Sequence, residues 1–216
     1  MRRAAFMAGA RRATVAAVAV VVVLGFGVAV GAAMEDDQSG TSSARTGAGT
    51  APSAVDIGFS QDMIVHHEQA VLMAQLVRSR TQDPKIAALA AGIEDDQLLD
   101  IGAMRGYLAL WQAPILPAGP PMSWMADADH HAGMPAMPGM ASTAEINALR
   151  KATGAAMDAM FLRLMLRHHE GGQAMLADAA AHANLEAVRA LASRIAFHQQ
   201  EESRTISTLL AARTSS

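Results

Sequence analysis

The sequence predicts an all-α protein built from two copies of one helical hairpin. Strand signals are scarce, because aromatic content is 4% and no alternating apolar run occurs outside one N-terminal segment. One motif occurs twice at a constant offset of 102 residues: Phe59-xxx-Met63-xx-His66-His67-Glu68-xxxx-Met73 and Phe161-xxx-Met165-xx-His168-His169-Glu170-xxxx-Met175. The copy continues into the next apolar stripe, where Leu89, Ala90, Ile93, Gln97 and Leu108 reappear as Leu191, Ala192, Ile195, Gln199 and Leu210. A whole unit was therefore duplicated.

The N-terminal region predicts a membrane-targeting segment. Residues 1–12 carry Arg2, Arg3, Arg11 and Arg12, and residues 13–33 are uncharged and rich in Val and Ala. That length is close to the ~20 residues that a membrane-spanning helix needs, with the basic end kept in the cytoplasm. A cleaved signal peptide is the alternative, but the apolar run is longer than a usual signal core, so we favour the anchor. Either way, the rest of the chain is expected outside the cytoplasm.

The remaining chain predicts a tether followed by one helical domain. Residues 34–54 are rich in Ser, Thr, Gly and Ala, which is typical of a flexible linker. Residues 55–212 suit a single core, with repeat 1 at 59–108 and repeat 2 at 161–210. Breaks near 80–84 and 182–184 divide the repeats into four helices, roughly 57–79, 84–111, 143–181 and 184–212. Pro84 suits the first turn of the second helix. We expect two αα-hairpins that pack as a four-helix bundle.

The segment between the repeats predicts a long surface loop. Residues 113–140 contain six of the chain's eight prolines, so they cannot form a continuous helix. Several soft-metal ligands lie in this loop, and we treat them as a second set of candidate copper ligands: Met122, Met125, His130, His131, Met134, Met137 and Met140. The alternative is a low-complexity linker that packs loosely on the bundle.

Composition excludes several classes of function. The net charge is −3, with 17 basic and 20 acidic residues, so no large basic surface supports nucleic-acid binding. Cysteine is absent, which excludes disulfides, thiolate metal sites, iron–sulfur clusters and cysteine catalysis. A soft-metal site must therefore use methionine and histidine, and the chain has 15 methionines and eight histidines.

Helical periodicity directs the repeated histidines to the inside of the bundle. His66 and His67 straddle the centre of an apolar stripe, whereas Glu68 lies off it, as does its equivalent Glu170. The facing helices carry polar residues inside otherwise apolar stripes, and we expect these to support the histidines: Gln97, Asp100, Gln199 and Glu202. Buried polar groups must satisfy one another or bind a ligand. The alternatives are a hydrogen-bonded polar layer or a metal site with the ligands Met63, His66, His67, Met73, Met165, His168, His169 and Met175.

Copper fits these ligands better than iron or zinc. Di-iron bundles use Glu-x-x-His motifs, and this sequence contains none. Inward-facing carboxylates are too few for a typical zinc or iron site, whereas thioethers bind Cu(I) and imidazoles bind copper in either oxidation state.

These motifs resemble the bacterial family known as domain of unknown function 305 over nearly all of residues 59–210. The resemblance implies a ferritin-like fold, and some members of that family are exported copper-binding proteins linked to copper tolerance. This chain departs from repeat symmetry where Gly171-Gly172 replaces Gln69-Ala70, and where Ser203 and Ile206 replace Ile101 and Met104. We therefore expect a looser motif helix in the second half, which would bind differently from the first.

Three functions follow as hypotheses. The leading one is a membrane-tethered extracytoplasmic protein that sequesters or delivers copper and catalyses nothing. The alternatives are a ferritin-like metal oxidase and a metal-free envelope interaction module with a hydrogen-bonded polar core. The expected partners are a metal ion, the membrane, and either a copper-handling protein or a second copy of the chain.

Overall fold

The computed structural model describes residues 51–126 and 137–214, and within them every regular element is an α-helix. This confirms the predicted all-α class. The five helices are α1 (Ala54–Arg78), α2 (Pro84–Leu110), α3 (Thr143–Lys151), α4 (Gly154–His182) and α5 (Glu186–Thr214). No helix in these two ranges is long and apolar enough to cross a membrane. The predicted segments 1–12 and 13–33, and most of the linker 34–54, lie outside the described residues.

The predicted helix over 143–181 is wrong, because the chain breaks after α3. Ala152 and Thr153 both adopt extended backbone angles, and Gly154 follows with a φ of +55°. A positive φ costs glycine little, so the chain can turn there and start α4 in a new direction. The Arg80 guanidinium of the first hairpin donates a 2.5 Å hydrogen bond to the Ala152 carbonyl, which holds the break in place.

Side chains at the starts of α1, α2 and α3 accept hydrogen bonds from free backbone amides there. Ser53 and Asp56 form a reciprocal capping box at the start of α1. Asp83 caps α2, and Pro84 occupies its first turn, as the sequence predicts. The Asp56 carboxylate also accepts hydrogen bonds from the backbone amides of Asn184 and Leu185, at 3.1 and 3.0 Å. Asp56 thereby joins the start of α1 to the turn before α5.

Helices α1 and α2 form one hairpin, α4 and α5 form the other, and the two hairpins meet mainly where α1 packs on α4. Two apolar clusters fill the interior. The first contains Met63 from early in α1 and Met175 from late in α4, and the second contains Met73 and Met165. Helices α1 and α4 therefore run in opposite directions, and the repeated histidines lie between the two clusters.

The prediction of a surface loop between the repeats is wrong for part of its described residues, 113–126 and 137–140, because three methionines there are buried. Met122 is 0% exposed, and Met125 and Met137 are 6% exposed, so all three belong to the core. The carboxylate of Asp62 on α1 accepts hydrogen bonds from the Met122 amide at 2.7 Å and the Trp124 indole at 2.8 Å. Burial raises the pKa of Asp62, and those two hydrogen bonds act in the opposite direction. His130, His131 and Met134 lie outside the described residues.

We predict that Asp62→Ala destabilises the protein by about 2–4 kcal/mol, because it leaves two buried or half-buried N–H groups without an acceptor. Urea unfolding of the purified protein, followed by tryptophan fluorescence, measures this. Glu68→Ala is the matched control on the same helix, since its ion pair with Arg105 is half exposed and contributes less than about 1 kcal/mol. Equal losses in the two variants would contradict the anchoring role of Asp62.

Candidate metal centre

Four histidines form a buried layer where α1 crosses α4. His66 and His67 come from α1, His168 and His169 come from α4, and all four are 0% exposed. The rings of His66 and His168 lie face to face, with centroids 3.8 Å apart and planes inclined by 35°. Within each repeat the neighbouring rings are farther apart, at 6.5 Å in the first and 6.2 Å in the second. The two repeats thus meet through the first histidine of each pair.

The Nε2 atoms of three of the four histidines have hydrogen-bond acceptors. His168 Nε2 lies 3.0 Å from the His66 carbonyl oxygen, and His66 Nε2 lies 3.4 Å from the Pro138 carbonyl oxygen. Because carbonyl oxygens only accept, these Nε2 atoms carry the proton and donate. His169 Nε2 lies 2.6 Å from the Glu202 carboxylate, whereas His67 Nε2 is 3.6 Å from Asp100, longer than a hydrogen bond. The histidine–carboxylate contact of the second repeat is therefore shorter than that of the first.

The Nδ1 atoms of all four histidines are buried, and none has a hydrogen-bond partner within the described structure. A neutral imidazole that carries its proton on Nε2 has a free lone pair on Nδ1. The side-chain oxygens of Gln97 and Gln199 and the amide nitrogen of Gln199 are also buried without partners. Within the described structure the polar layer is therefore closed only in part, by the His169–Glu202 hydrogen bond, and the choice between a polar layer and a metal site stays a prediction. Each such atom costs about 1–3 kcal/mol unless a ligand satisfies it.

Burial keeps the imidazoles of His66, His67 and His168 uncharged. It lowers the pKa of His66 to about 3, and the neighbouring His67 adds to that effect. The pKa values of His67 and His168 are lowered as well, with burial as the largest cause. Uncharged rings are needed for the 3.8 Å approach of His66 and His168, and only the neutral form of histidine binds a metal.

A short strap, residues 137–141, covers His66 from outside. The Gln69 side chain holds it with two hydrogen bonds to Ala141, donating to the carbonyl at 2.9 Å and accepting from the amide at 2.5 Å. Gly139, with a φ of +81°, lies against Gly171 of α4. A Cβ atom on Gly171 would lie 2.4 Å from the backbone of the strap, so only glycine permits this approach. The strap places the Pro138 carbonyl over His66.

Gly172 opens space beside the histidines. A Cβ atom there would lie 3.1 Å from Cε1 and 3.7 Å from Nδ1 of His66, and 3.7 Å from the side-chain oxygen of Gln199. The Nδ1 edge of His66 and the unpaired Gln199 amide thus border one small space that a side chain would fill. Helix α4 is continuous through Gly171 and Gly172, so the expected loosening of the second motif helix is not seen.

The acidic residues facing the two histidine pairs differ in their other partners. Asp100 accepts a hydrogen bond from Arg194 on Oδ1 at 2.9 Å, and its other oxygen lies 3.6 Å from His67 Nε2. The symmetry-equivalent contact, between Glu202 and His169, is 2.6 Å. The repeats therefore support their histidines differently.

The predicted methionine ligands flank the histidine layer from both sides. Met63 and Met175 lie in one apolar cluster, Met73 and Met165 lie in the other, and all four are fully buried. Core packing accounts for their burial, and their role as ligands stays a prediction. In the loop, Met122, Met125 and Met137 pack into the first cluster and Met140 packs against it. Glu68 and Glu170 are exposed, as their position off the apolar stripe predicts.

The donor set fits a soft or borderline metal ion. In residues 51–126 and 137–214 no group of three or more His, Asp or Glu side chains is placed to hold a metal ion. The layer instead offers buried imidazole nitrogens from two pairs of histidines, and methionine sulfurs lie in the adjacent clusters. Carbonyl and carboxylate oxygens orient three of the four rings through Nε2. Such outer hydrogen bonds fix the ring that a metal would bind. Carboxylate-rich sites for magnesium or calcium have a different composition.

Comparison with known proteins identifies the family. The family model described as "Domain of unknown function (DUF305)" matches residues 56–210. The chain belongs to the DUF305 family. No curated protein matches it.

Solved DUF305 structures share the fold. A DUF305 protein from Streptomyces coelicolor, described as secreted, is 37% identical with a TM-score of 0.68, and the match covers 74% of this chain and 94% of that one. A DUF305 fragment from Deinococcus radiodurans is 30% identical with a TM-score of 0.63, covering 75% and 99%. CopM in its Cu(II)-bound form is 24% identical with a TM-score of 0.59, covering 73% and 96%. At that identity the likeness to CopM shows the fold alone.

Several residues that shape the site were missed from the sequence. Gln69 and the strap carbonyl of Pro138 had no motif to mark them, and Arg194 looked like an ordinary surface residue. One signal was available: Gln61, Asp62 and Gln69 on α1 correspond to Arg163, Leu164 and Gly171 on α4. Loss of repeat symmetry at three polar positions marks the residues that hold the inter-repeat segment.

We predict opposite effects of alanine at two helical glycines. Gly171→Ala should destabilise the protein by about 1–3 kcal/mol or more, because its Cβ would overlap the strap backbone. Gly102→Ala in α2 meets nothing within 4 Å and should stabilise by roughly 0.5–1 kcal/mol. Urea unfolding of both variants provides the measurement. Stabilisation by Gly171→Ala would show that the strap does not lie against α4.

We also predict that the metal-free protein loses stability between pH 7 and pH 5. In the unfolded chain a histidine takes up a proton near pH 6.5, but burial lowers the pKa of native His66 to about 3. The stability that neutral His66 contributes is therefore fully present above pH 6.5 and falls as the pH drops towards 3, by up to roughly 2 kcal/mol at pH 5. The midpoint of urea unfolding, measured at pH 7 and pH 5 with a chelator present to keep the protein metal-free, tests this prediction. His66→Gln should show a shallower slope, and equal midpoints at pH 7 and pH 5 would contradict the buried neutral state.

Proposed function

We propose that this protein binds copper outside the cytoplasm and sequesters it or hands it on. One observation carries the proposal: the Nδ1 atoms of four buried imidazoles have no partner within the described structure, and the Nε2 hydrogen bonds of His66 and His168 to carbonyl oxygens leave their Nδ1 lone pairs free. A ligand that accepts those lone pairs would recover the free energy that their burial costs. A metal ion is such a ligand, and it needs the neutral form that burial already maintains.

Copper is the metal that suits the available atoms. Imidazole nitrogens bind copper in both oxidation states, and the methionines of the two apolar clusters add thioether sulfur that selects Cu(I). No thiolate is available, because the chain has no cysteine. Of the predicted ligands we assign the main role to His66, His67, His168 and His169. Met63, Met73, Met165 and Met175 stay predicted ligands, and Gln97, Asp100, Gln199 and Glu202 are assigned to orient the rings.

The fold comparison is consistent with this proposal. CopM, which shares the fold, has been solved with Cu(II) and, at 22% identity and a TM-score of 0.56, with Cu(I). We propose the same cargo for this chain because its own histidine layer has free lone pairs.

The proposed location rests on the N-terminal sequence. Basic residues 1–12 followed by the uncharged segment 13–33 are typical of a membrane anchor or signal peptide. The related Streptomyces protein is described as secreted. We therefore place the helical domain outside the cytoplasm, either tethered to the membrane or released from it.

The test is competition for Cu(I) against bicinchoninate with the purified full-length protein. We expect His66→Leu combined with His168→Leu to lose at least tenfold in affinity, equivalent to about 1.4 kcal/mol, because both rings of the central contact are removed. The matched control is His198→Ala, a half-exposed histidine whose nearest carboxylate, Asp96, is 4.0 Å away. Its affinity should equal that of the wild type.

Two results would overturn the proposal. If the double variant binds Cu(I) as the wild type does, the histidine layer is not the site, and a loss confined to His130→Ala with His131→Ala would assign the copper to the inter-repeat segment. If the melting temperature does not change with Cu(I), Cu(II) or Zn(II), the protein binds none of them in the folded state, since such binding must raise stability. That result would favour the metal-free interaction module, whereas oxygen consumption on adding Cu(I) or Fe(II) would favour the oxidase.

A further inference from the structure

One end of the helical domain exposes large apolar side chains. Leu110 at the end of α2 is 78% exposed, and Ile115 and Leu116 in the following turn are 49% and 68% exposed. We call these three residues the apolar tip. The surrounding segment, residues 106–126, contains no Asp, Glu, Lys or Arg. Single exposed leucines are common on soluble proteins, but an exposed set within an uncharged segment indicates a surface that contacts something apolar.

The tip is firmly attached to the domain. The Gln61 side chain on α1 donates hydrogen bonds to the carbonyls of Pro114 at 2.7 Å and Leu116 at 3.4 Å. Trp111 stacks on Tyr107 with ring centroids 5.5 Å apart, and both rings pack against the first apolar cluster. The exposed side chains are therefore displayed on a supported turn with two half-buried aromatic rings beneath it.

The tip lies at the end of the domain where the chain enters from the N-terminal side. Ala54, the first residue of α1, lines the same cleft as Pro117 and Ala118, which follow Leu116 directly. The uncharged segment 13–33 ends twenty residues before α1 in the sequence, and twenty residues span at most about 70 Å when extended. A membrane that holds segment 13–33 therefore lies within reach of this end of the domain.

We propose that the apolar tip inserts into the interface of the lipid bilayer, so that the helical domain rests upright on the membrane. Leucine and isoleucine side chains gain from leaving water, and tryptophan and tyrosine are the rings that favour the membrane–water interface. Because residues 106–126 carry no charge, the attraction depends on the acyl-chain boundary and not on anionic headgroups. The proposal rests on the membrane location in the proposed function and is independent of copper.

The experiment uses the full-length chain in liposomes, and the absence of cysteine allows one labelled cysteine at a time. An environment-sensitive fluorophore is attached at Leu116→Cys or Leu110→Cys. Gln82→Cys, in the exposed turn between α1 and α2 at the far end of the first hairpin, is the matched control. Vesicles of zwitterionic phosphatidylcholine, with and without bromine on the acyl chains, serve as the probe.

We expect brominated lipid to reduce emission at positions 110 and 116 and to leave emission at position 82 unchanged. Leu116→Glu, combined with the probe at position 110, should abolish the quenching by brominated lipid. The chain should still co-float with the vesicles in a density gradient, because segment 13–33 still attaches it. Equal quenching at positions 82 and 116, or quenching at neither, overturns the proposal. A shift at position 116 that depends on protein concentration without brominated lipid also overturns it, because a second copy of the chain then covers the tip. Cu(I) competition on the same samples reports the proposed metal function separately.

Discussion

The close contact between His66 and His168 is the constraint on which the rest of the structure depends. Two imidazole rings with centroids 3.8 Å apart require uncharged histidines, and burial lowers both of their pKa values. Gly172 favours the contact, because a Cβ atom there would lie 3.1 Å from the His66 ring, closer than most such contacts. The two apolar clusters on either side of the layer supply the packing that holds this crossing together.

Duplication gives the domain its approximate symmetry, and the inter-repeat segment breaks it. By symmetry the Nε2 atoms of His66 and His168 would each bond to the other helix, but His66 bonds to the strap at Pro138. Gln69 on α1 and Gly171 on α4 hold the strap, and these two residues occupy equivalent positions in the repeats. The first repeat thus supplies the hydrogen bonds to the strap through Gln69, and the second repeat leaves room for the strap backbone at Gly171. The same segment covers one side of the histidine layer, so the two histidine pairs face different surroundings.

The unpaired atoms of the layer connect stability to ligand binding. Each buried polar atom without a partner costs about 1–3 kcal/mol, and the apolar clusters must offset that cost in the metal-free protein. A bound ion would remove part of the cost and so stabilise the folded state. The unpaired polar atoms of the histidine layer therefore lower the stability of the metal-free protein and at the same time are the atoms that could bind an ion. A hydrophobic layer would pack without this cost, but it would bind nothing.

The sequence by itself determined the helical class, the duplicated hairpin and the inner faces of its helices, because a period of 3.6 residues fixes which side chains share a face. His66, His168, Gln97 and Gln199 are buried as that period predicts. Only the tertiary structure decided that Nδ1 has no partner in the four histidines while Nε2 is hydrogen-bonded in three of them, since that depends on acceptors from other elements. It also decided the break at Ala152 and Thr153 and the burial of Met122, which result from long-range hydrogen bonds of Arg80 and Asp62. Local sequence carries no record of partners that lie sixty or more residues away.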